Sequence, residues 1–359
     1  MGGARPARLS FMRIVVDVMG GDHGCQIVIE GVKRALEADQ KITSLFLVGR
    51  QAEIQGAMES AGLKDERVQV VHASEVMTME DKPTVALRRK KDSSMVRAIE
   101  LVGEGRADAV ISLGNTGGIL ATSTLKLRPL PGVERAGIAT VIPTPNSEFV
   151  LLDSGANVEC KPIHLVQYAV MGSVYSRAVL GRKSPRVGLL NVGTEEGKGN
   201  ELTQEAFRLC KQIQINFIGN VEGYDLFADR VDVVICDGFV GNIVLKTVES
   251  LAMAMVTMLK QELSLNPKRQ LGALLARNGL RAIKRRMDPE SAGGAPLLGL
   301  NGIVMKAHGS SRERSIMNAI RVTSEAIQHQ TNEIICGEIQ RARECLASAK
   351  PATSTPVAA

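Results

Sequence analysis

Hydrophobic residues run through this chain in short, near-continuous blocks. Blocks rich in Val, Ile and Leu at 13–18, 45–48, 68–72, 108–112, 137–142, 149–152, 186–191, 215–218 and 232–236 predict strands. They alternate little between apolar and polar residues, as strands do when both faces of a sheet are covered. Between most of them apolar positions recur at helical spacing, predicting helices at 26–38, 93–104, 162–179 and 201–212. Repeated strand–helix units of this kind imply an α/β fold with a mostly parallel sheet and helices on both sides.

After Gly241 the pattern changes. Residues 242–287 and 312–348 read as helical nearly throughout, with a short strand-like segment at 302–306 between them. No linker and no internal repeat interrupts 12–348, so one domain is expected there, with a helical tip at about 251–290. A leader (1–11) and a small-residue tail (349–359) are expected to be disordered, with the first ordered segment beginning near Met12.

Composition narrows the function classes. The chain has 359 residues, 44% hydrophobic and 23% charged, which is globular and excludes wholesale disorder. It has no Trp, 3 Tyr and 7 Phe, too few aromatics for base stacking, so no nucleic-acid partner is expected. No run of 18 apolar residues occurs, so no transmembrane helix is expected. The start, MGGARPARLSF, lacks the apolar core of a secretory signal, and Pro6 breaks the myristoylation pattern. Six cysteines with no CxxC pair read as reduced cytosolic thiols, and five His without ligand spacing predict no metal site.

Charge is local. Residues 260–287 carry eight basic residues, including Arg277, Arg281, Lys284 and Arg285, against one acid, Glu262. That excess of seven exceeds the formal net charge of +6 for the whole chain, so the remainder is slightly acidic. Leu271, Leu274 and Leu275 share a helical face in the same stretch; Pro267 is expected to open this helix and Asn278-Gly279 to cap it. A basic, leucine-bearing helical hairpin suits a membrane surface or an acidic protein, and equally a solvated face packed on its own domain.

The candidate chemistry lies in five glycine turns that follow strands: DVMGGD (17–22), SLGNTGG (112–118), DSGAN (153–157), NVGTEEGKGN (191–200) and DGFVGN (237–242). In an open parallel sheet ligands bind beyond the carboxyl ends of strands, so these turns are expected to gather along one edge. Any one of them is explained by the steric needs of a tight turn. Together, with their Asn, Thr, Ser and Asp side chains and freed N–H groups, they point to a phosphate-bearing ligand. None matches GxxxxGK[ST] or GxGxxG, so no nucleotide cofactor is indicated, and no GxSxG elbow occurs. Cys236 lacks a local His partner and reads as a buried hydrophobe. His308 is either a structural histidine or an anion donor with acid/base capacity. The run Arg88–Lys91 reads as a solvated face or an anion-binding patch, with Asp92 or Ser93 capping the next helix.

Seven stretches carry a resemblance: VDVMGGD (16–22), LRRKKDSSM (87–95), SLGNTGG (112–118), LLDSGAN (151–157), GLLNVGTEEGKGNE (188–201), CDGFVGNIVLK (236–246) and KAHGSS (306–311). In this order the chain resembles the bacterial phosphate acyltransferases of phospholipid synthesis, from Met12 to about residue 340. The resemblance implies a Rossmann-like three-layer α/β/α domain related to phosphotransacetylases, with a projecting helical tip, assembled as a homodimer. It implies transfer of a long-chain fatty acyl group from acyl carrier protein to inorganic phosphate. The acyl phosphate would then serve a membrane glycerol-3-phosphate acyltransferase. The tip would touch the membrane, placing the protein in the cytoplasm, peripherally bound to the inner face.

The reaction needs no enzyme nucleophile, because phosphate attacks the thioester directly; the protein must align the reactants and stabilise an oxyanion. Gly114, Asn115, Thr116 and Gly117 are expected to cradle phosphate at a helix N-terminus. Lys198 supplies fixed charge and Asn242 a companion donor, the two positions the resemblance favours as catalytic. Asp153, Asn157, Thr194 and His308 are further candidates; Asp153, Asn157 and Thr194 have an equal reading as turn-holding groups. Asp22 is open between turn and proton-handling roles. No cofactor and no metal is expected. The basic tip could steer acidic carrier protein or anionic lipid. The competing enzyme is a phosphotransacetylase-like acyltransferase using acyl-CoA. A decarboxylating dehydrogenase of related fold would need an acidic metal cluster and a nucleotide site. A non-enzymatic membrane scaffold would leave the glycine turns without a purpose.

Overall fold

A computed structural model describes residues 12–286 and 293–349. The expected leader, residues 287–292 of the expected tip and its exit, and residues 350–359 of the tail lie outside the described residues. The amino-terminal half runs β1 (Met12–Asp17), α1 (Gly24–Ala38), β2 (Ile42–Gly49), α2 (Gln51–Ala61), β3 (Val68–His72), α3 (Pro83–Arg89), α4 (Ser94–Gly103), β4 (Ala109–Ser112), α5 (Thr116–Leu127) and β5 (Gly137–Pro143). The middle runs β6 (Glu148–Leu152), α6 (Pro162–Ala178), β7 (Val187–Leu190), α7 (Glu201–Cys210), β8 (Phe217–Val221) and β9 (Val233–Ile235). Then come α8 (Gly238–Ser264), α9 (Pro267–Leu275), α10 (Arg277–Arg286), β10 (Ala295–Leu298), β11 (Ile303–Lys306), α11 (Glu313–Gln328) and α12 (Thr331–Ser348).

The strands form one 11-stranded sheet in the order β3-β2-β1-β4-β11-β10-β5-β6-β9-β7-β8. It is a mostly parallel mixed sheet flanked by helices, the three-layer α/β architecture expected. Its centre differs from the expectation. β10 pairs antiparallel with both β11 and β5, and β5 pairs antiparallel with β6. Strand direction therefore reverses across the middle: β1–β5 and β11 run one way, β6–β10 the other. β10 itself was not anticipated; four residues containing Pro296 leave no readable pattern.

Each face of the sheet covers two cores. On one face Ile14, Val16, Ile111 and Met305 pack with α1 and α11, and Val150, Leu152, Val233 and Ile235 pack with α6. On the other, Val15, Val110, Ile138, Leu297 and Val304 lie beneath α4 and α5, while Ile142, Phe149, Leu151 and Val234 lie beneath the start of α8. Side chains two apart on a strand share a face. Thr140 and Lys306 therefore project on the α5/α8 face, where Thr140 hydrogen-bonds Ser154 at 2.7 Å. A polar floor thus separates the two apolar patches, with α5 on one side and α8 on the other.

α8 and the helices after it bear on two readings. It is long and apolar enough to cross a membrane by length and composition, and 6% of its apolar window is buried. Its first turns are committed to the protein: Asp237 caps it through Val240 N–H at 2.9 Å, and Val244, Leu245 and Val248 pack on the core. About 16 residues remain, ~24 Å of helix, short of the ~20 residues a bilayer core requires. Beyond it, Asn266 caps α9 through Arg269 N–H at 3.0 Å with Pro267 in the first turn, as expected. The break falls at Ala276, not at Asn278-Gly279, which lie inside α10.

Candidate active site

The amino-terminal turns interlock at one end of the sheet. Asp17, Ser112 and Lys306 end β1, β4 and β11 and are register neighbours. Ser112 Oγ donates to the buried Asp17 carboxylate at 2.7 Å. Burial pushes the Asp17 carboxyl up, opposed by the bonds from Ser112 and Ser94. Gly20 lies so close to the backbone of Gly114 that a methyl group there would sit 2.6 Å from its nitrogen. Asp22 N–H donates to Gly309 O at 2.8 Å, joining the first turn to the 306–311 turn.

α5 begins in this cluster. Asn115 caps it: Oδ1 accepts from Gly118 N–H at 3.0 Å, and Nδ2 donates to Met79 O at 2.9 Å. Its amide is spent on structure, pinning the 77–81 loop over the helix start. Lys90 holds the same loop through Asp81 at 2.6 Å and Val76 O at 2.9 Å. Gly114 and Gly117 lie against Met95 and Pro83, and Thr116 is the exposed residue of this helix start, where the dipole favours an anion. In the Arg88–Lys91 run, Lys90 is structural and Arg88, Arg89 and Lys91 are exposed. Ser93 caps α4 through Val96 N–H at 3.4 Å.

The turns after β6, β9 and β7 leave the sheet in the opposite direction, because those strands run the other way, although the ends of β11 and β6 lie near one level of the sheet. The expected single edge is therefore two. Asp153 organises this end. Its fully buried carboxylate accepts from Ile138 N–H (3.0 Å), Gly155 N–H (3.1 Å), Ala156 N–H (2.9 Å) and Asn157 N–H (2.7 Å). Burial raises its carboxyl, and the four amides pull it back. Asn157 donates to Ala136 O at 2.6 Å and Tyr168 Oη at 2.9 Å. Both side chains thus act as turn holders. Asp153→Ala strands four backbone donors, and it should lower unfolding free energy by at least about 3 kcal/mol. A urea midpoint close to wild type would refute that role.

Two candidates at this end remain uncommitted. Lys198 is exposed, and its stem lies across Gly193, where an added methyl would meet Lys198 Cγ at 2.8 Å. The loop beneath it is fixed by amides: Asn191 Nδ2 donates to Lys198 O at 3.1 Å, Asn220 Nδ2 to Glu195 O at 2.8 Å, and Gln204 Nε2 to Gly197 O at 2.8 Å. Asn242, in the first turn of α8, lies against Gly155, whose missing methyl would sit 3.4 Å from its Oδ1. Neither side chain has a hydrogen-bonding partner among the described residues. They come from adjacent strands, β7 and β9. Thr194 is exposed on the Lys198 loop. Cys236, in contrast, is buried with no imidazole beside it; burial, then Asp237 and Asp153, push its thiol well above the ordinary range. It is not placed to be a nucleophile.

α8 connects the two ends. Asn242, Lys246 and Glu249 share one helix stripe by their spacing. Lys246 pairs with Glu249 at 2.7 Å, and both lie within electrostatic reach of Lys306 and His308. Burial, then the Lys306 and Lys246 charges, hold His308 below the usual imidazole value. Its Nδ1 is engaged with Ser310 Oγ at 2.8 Å, leaving Nε2 open. The candidate site is thus a cleft on one face, between the α5 start and the α8 stripe, floored by Lys306, Thr140 and Ser154. Lys246 and Lys306 were missed as site residues, although Lys246 closes CDGFVGNIVLK and Lys306 opens KAHGSS, two stretches that were singled out. Their signal was a lysine at the end of a strand and one helical turn beyond an asparagine. Among the described residues no group of His, Cys, Asp and Glu could hold a metal ion.

The Fatty acid synthesis protein family matches residues 12–334. A phosphate acyltransferase of Desulfitobacterium hafniense is 48% identical over 331 residues, covering 92% of this chain and 98% of the relative. The chain belongs to the phosphate acyltransferase family. It is accordingly an enzyme, and its family includes a phosphate acyltransferase of Akkermansia muciniphila at 45% identity, covering 92% of this chain and 96% of the relative. Among solved structures, a phosphotransacetylase from Streptococcus pyogenes superposes with TM-score 0.62 at 16% identity, covering 90% of this chain and 94% of that one. EutD phosphotransacetylase from Staphylococcus aureus gives 0.58 at 16% identity, covering 88% and 94%. These likenesses establish the shared fold, and the family membership rests on the sequence relatives.

Proposed function

We propose that this family member transfers a long-chain fatty acyl group from acyl carrier protein to inorganic phosphate, yielding acyl phosphate for phospholipid synthesis. A phosphate oxygen attacks the thioester carbonyl; the C–O bond forms, the C–S bond breaks, and the carrier thiolate leaves and takes a proton. The supporting observation is that Lys198, on the loop after β7, and Asn242, in the first turn of α8 after the neighbouring β9, have no side-chain hydrogen-bonding partner among the described residues. Such donors suit a developing oxyanion, which is the main electrostatic demand of the reaction. Thr116, Gly117 and the Lys306 turn suit phosphate. The test is thiol release from long-chain acyl carrier protein with and without phosphate, with the product weighed by mass spectrometry. Release independent of phosphate overturns the reading. A preference for acyl-CoA over acyl carrier protein as donor would instead favour phosphotransacetylase-like chemistry.

The tip supports proposals about partners. Leu271, Leu274 and Leu275 of α9 are exposed, as are Leu251, Met255 and Met258 of α8. Arg277, Arg281 and Arg285 lie on α10, with Lys284 between the last two. We place the anionic membrane surface and acidic carrier protein on this tip, a second copy of the chain on exposed α8, and the enzyme at the inner face of the cell membrane. The glycerol-3-phosphate acyltransferase that consumes acyl phosphate would lie on the same membrane. At ~1 kcal/mol per cation near an anionic surface, Arg277→Gln/Arg281→Gln/Arg285→Gln should weaken binding to phosphatidylglycerol vesicles by about 100-fold. Flotation that is unchanged by the triple substitution and by raised salt would remove this role. Sedimentation as a monomer would remove the dimer.

A further inference from the structure

The cleft holds an acid and a base that do not meet. Lys306 ends β11 and projects on the α5/α8 face, and its ammonium makes no hydrogen bond or ion pair among the described residues. Burial, then the nearby Lys246 charge, lower the pKa of its ammonium. Asp22 lies within electrostatic reach of both Lys306 and His308. Its carboxylate also has no ion pair among the described residues. Its amide bond to Gly309 O at 2.8 Å fixes its backbone on the 306–311 turn. A methyl group at Gly309 would sit 3.0 Å from either Asp22 carboxylate oxygen, so the acid overhangs that glycine. Glu249, the other acid in reach, is taken by Lys246 at 2.7 Å.

This leaves a cation and a carboxylate facing one space, with the open His308 Nε2 and the start of α5 at the same end. A fully deprotonated oxyanion satisfies the lysine and repels the carboxylate. An oxyanion that also carries a hydroxyl satisfies both: a charged oxygen on Lys306, an O–H donated to Asp22. We propose that Lys306 and Asp22 form the specificity determinant of the phosphate subsite, selecting monohydrogen phosphate over sulfate. The two ions match in size and charge and differ in that proton, so the carboxylate excludes sulfate by an unpaired contact. This rests on the phosphate-dependent reaction proposed above.

The experiment uses the full chain, with inorganic phosphate as substrate and sulfate as competitor. Wild type is expected to be poorly inhibited by sulfate. Asp22→Asn should raise the phosphate KM and lower the sulfate inhibition constant, each by about tenfold. Asn keeps an acceptor but adds donors that suit sulfate. Lys306→Met should raise the KM for phosphate by at least about tenfold, with Lys306→Arg recovering part of it, while KM for the acyl donor stays within about twofold. Asp22 is exposed, so its variant is expected to fold, and calorimetric titration of each protein with phosphate and with sulfate reads the same preference without turnover. Unchanged phosphate KM and sulfate inhibition in Asp22→Asn would overturn the proposal while leaving the reaction intact. A wild type with no phosphate-dependent release would overturn the reaction itself.

Discussion

Lys198→Ala is expected to lower kcat/KM for phosphate-dependent thiol release by about 100- to 1,000-fold while leaving the protein folded. The first half follows from removing a preorganised donor to an oxyanion, worth ~2.7–4 kcal/mol of transition-state stabilisation. The second follows from the structure. Lys198 Nζ makes no bond among the described residues, and the loop under it is held by Asn191, Asn220 and Gln204 instead. Asn242→Ala is expected to have an effect of the same order, since its side chain, which lies against Gly155, has no hydrogen-bonding partner among the described residues. If the two donors serve one oxyanion, the double variant should lose less than the product of the single losses. Lys198→Arg should recover part of the rate by restoring charge with different geometry. Full turnover by Lys198→Ala would remove this mechanism.

Gly241→Ala carries the largest expected effect on stability. A methyl group there would coincide with the carbonyl oxygen of Asp153, a backbone atom that cannot rotate away. The Asp153 turn is itself fixed by its four amides, so the α8 start and that turn must separate. A loss of at least about 3 kcal/mol, or failure to fold, is expected. Gly272→Ala is the contrast. Nothing lies within 4 Å of its added methyl, and α9 is exposed, so helix propensity should give a gain of up to about 1 kcal/mol. Denaturant midpoints for the two variants check both. A Gly241→Ala protein with wild-type stability would mean that α8 and the 153–157 turn do not interlock as described.

Much of the fold was legible because the strands are buried on both faces. The blocks at 13–18, 68–72 and 137–142 coincide with β1, β3 and β5 within a residue at either end. Helix starts with a local device were equally readable, as at Ser93 and Pro267. β10 was not, since four residues and a proline carry no period. Nor was the boundary between α9 and α10, where Asn278-Gly279 imitates a cap but the helix simply continues through it.

The site was legible as a set of turns and illegible as an arrangement. Local sequence encodes which residues are apolar, which can turn and which can cap, and these depend on neighbours a few positions away. That was enough for the elements, the glycine turns and the candidates Lys198 and Asn242. Strand direction reverses at the β5–β6 hairpin, and the later β9, β7 and β8 follow β6, while β10 and β11, late in the chain, insert between β4 and β5. That reversal sends the Asn115 and Lys198 turns out in opposite directions and leaves α8 to bridge them. The fate of each amide was equally non-local. Asn115 is spent on Met79, and Asn157 on Ala136 and Tyr168, partners that no spacing announces. Lys246 and Lys306 are 60 positions apart in sequence numbering, and only helix packing over the sheet brings their charges within reach of each other. A side chain becomes available to a substrate when folding leaves it without another partner, and that is a property of the folded whole.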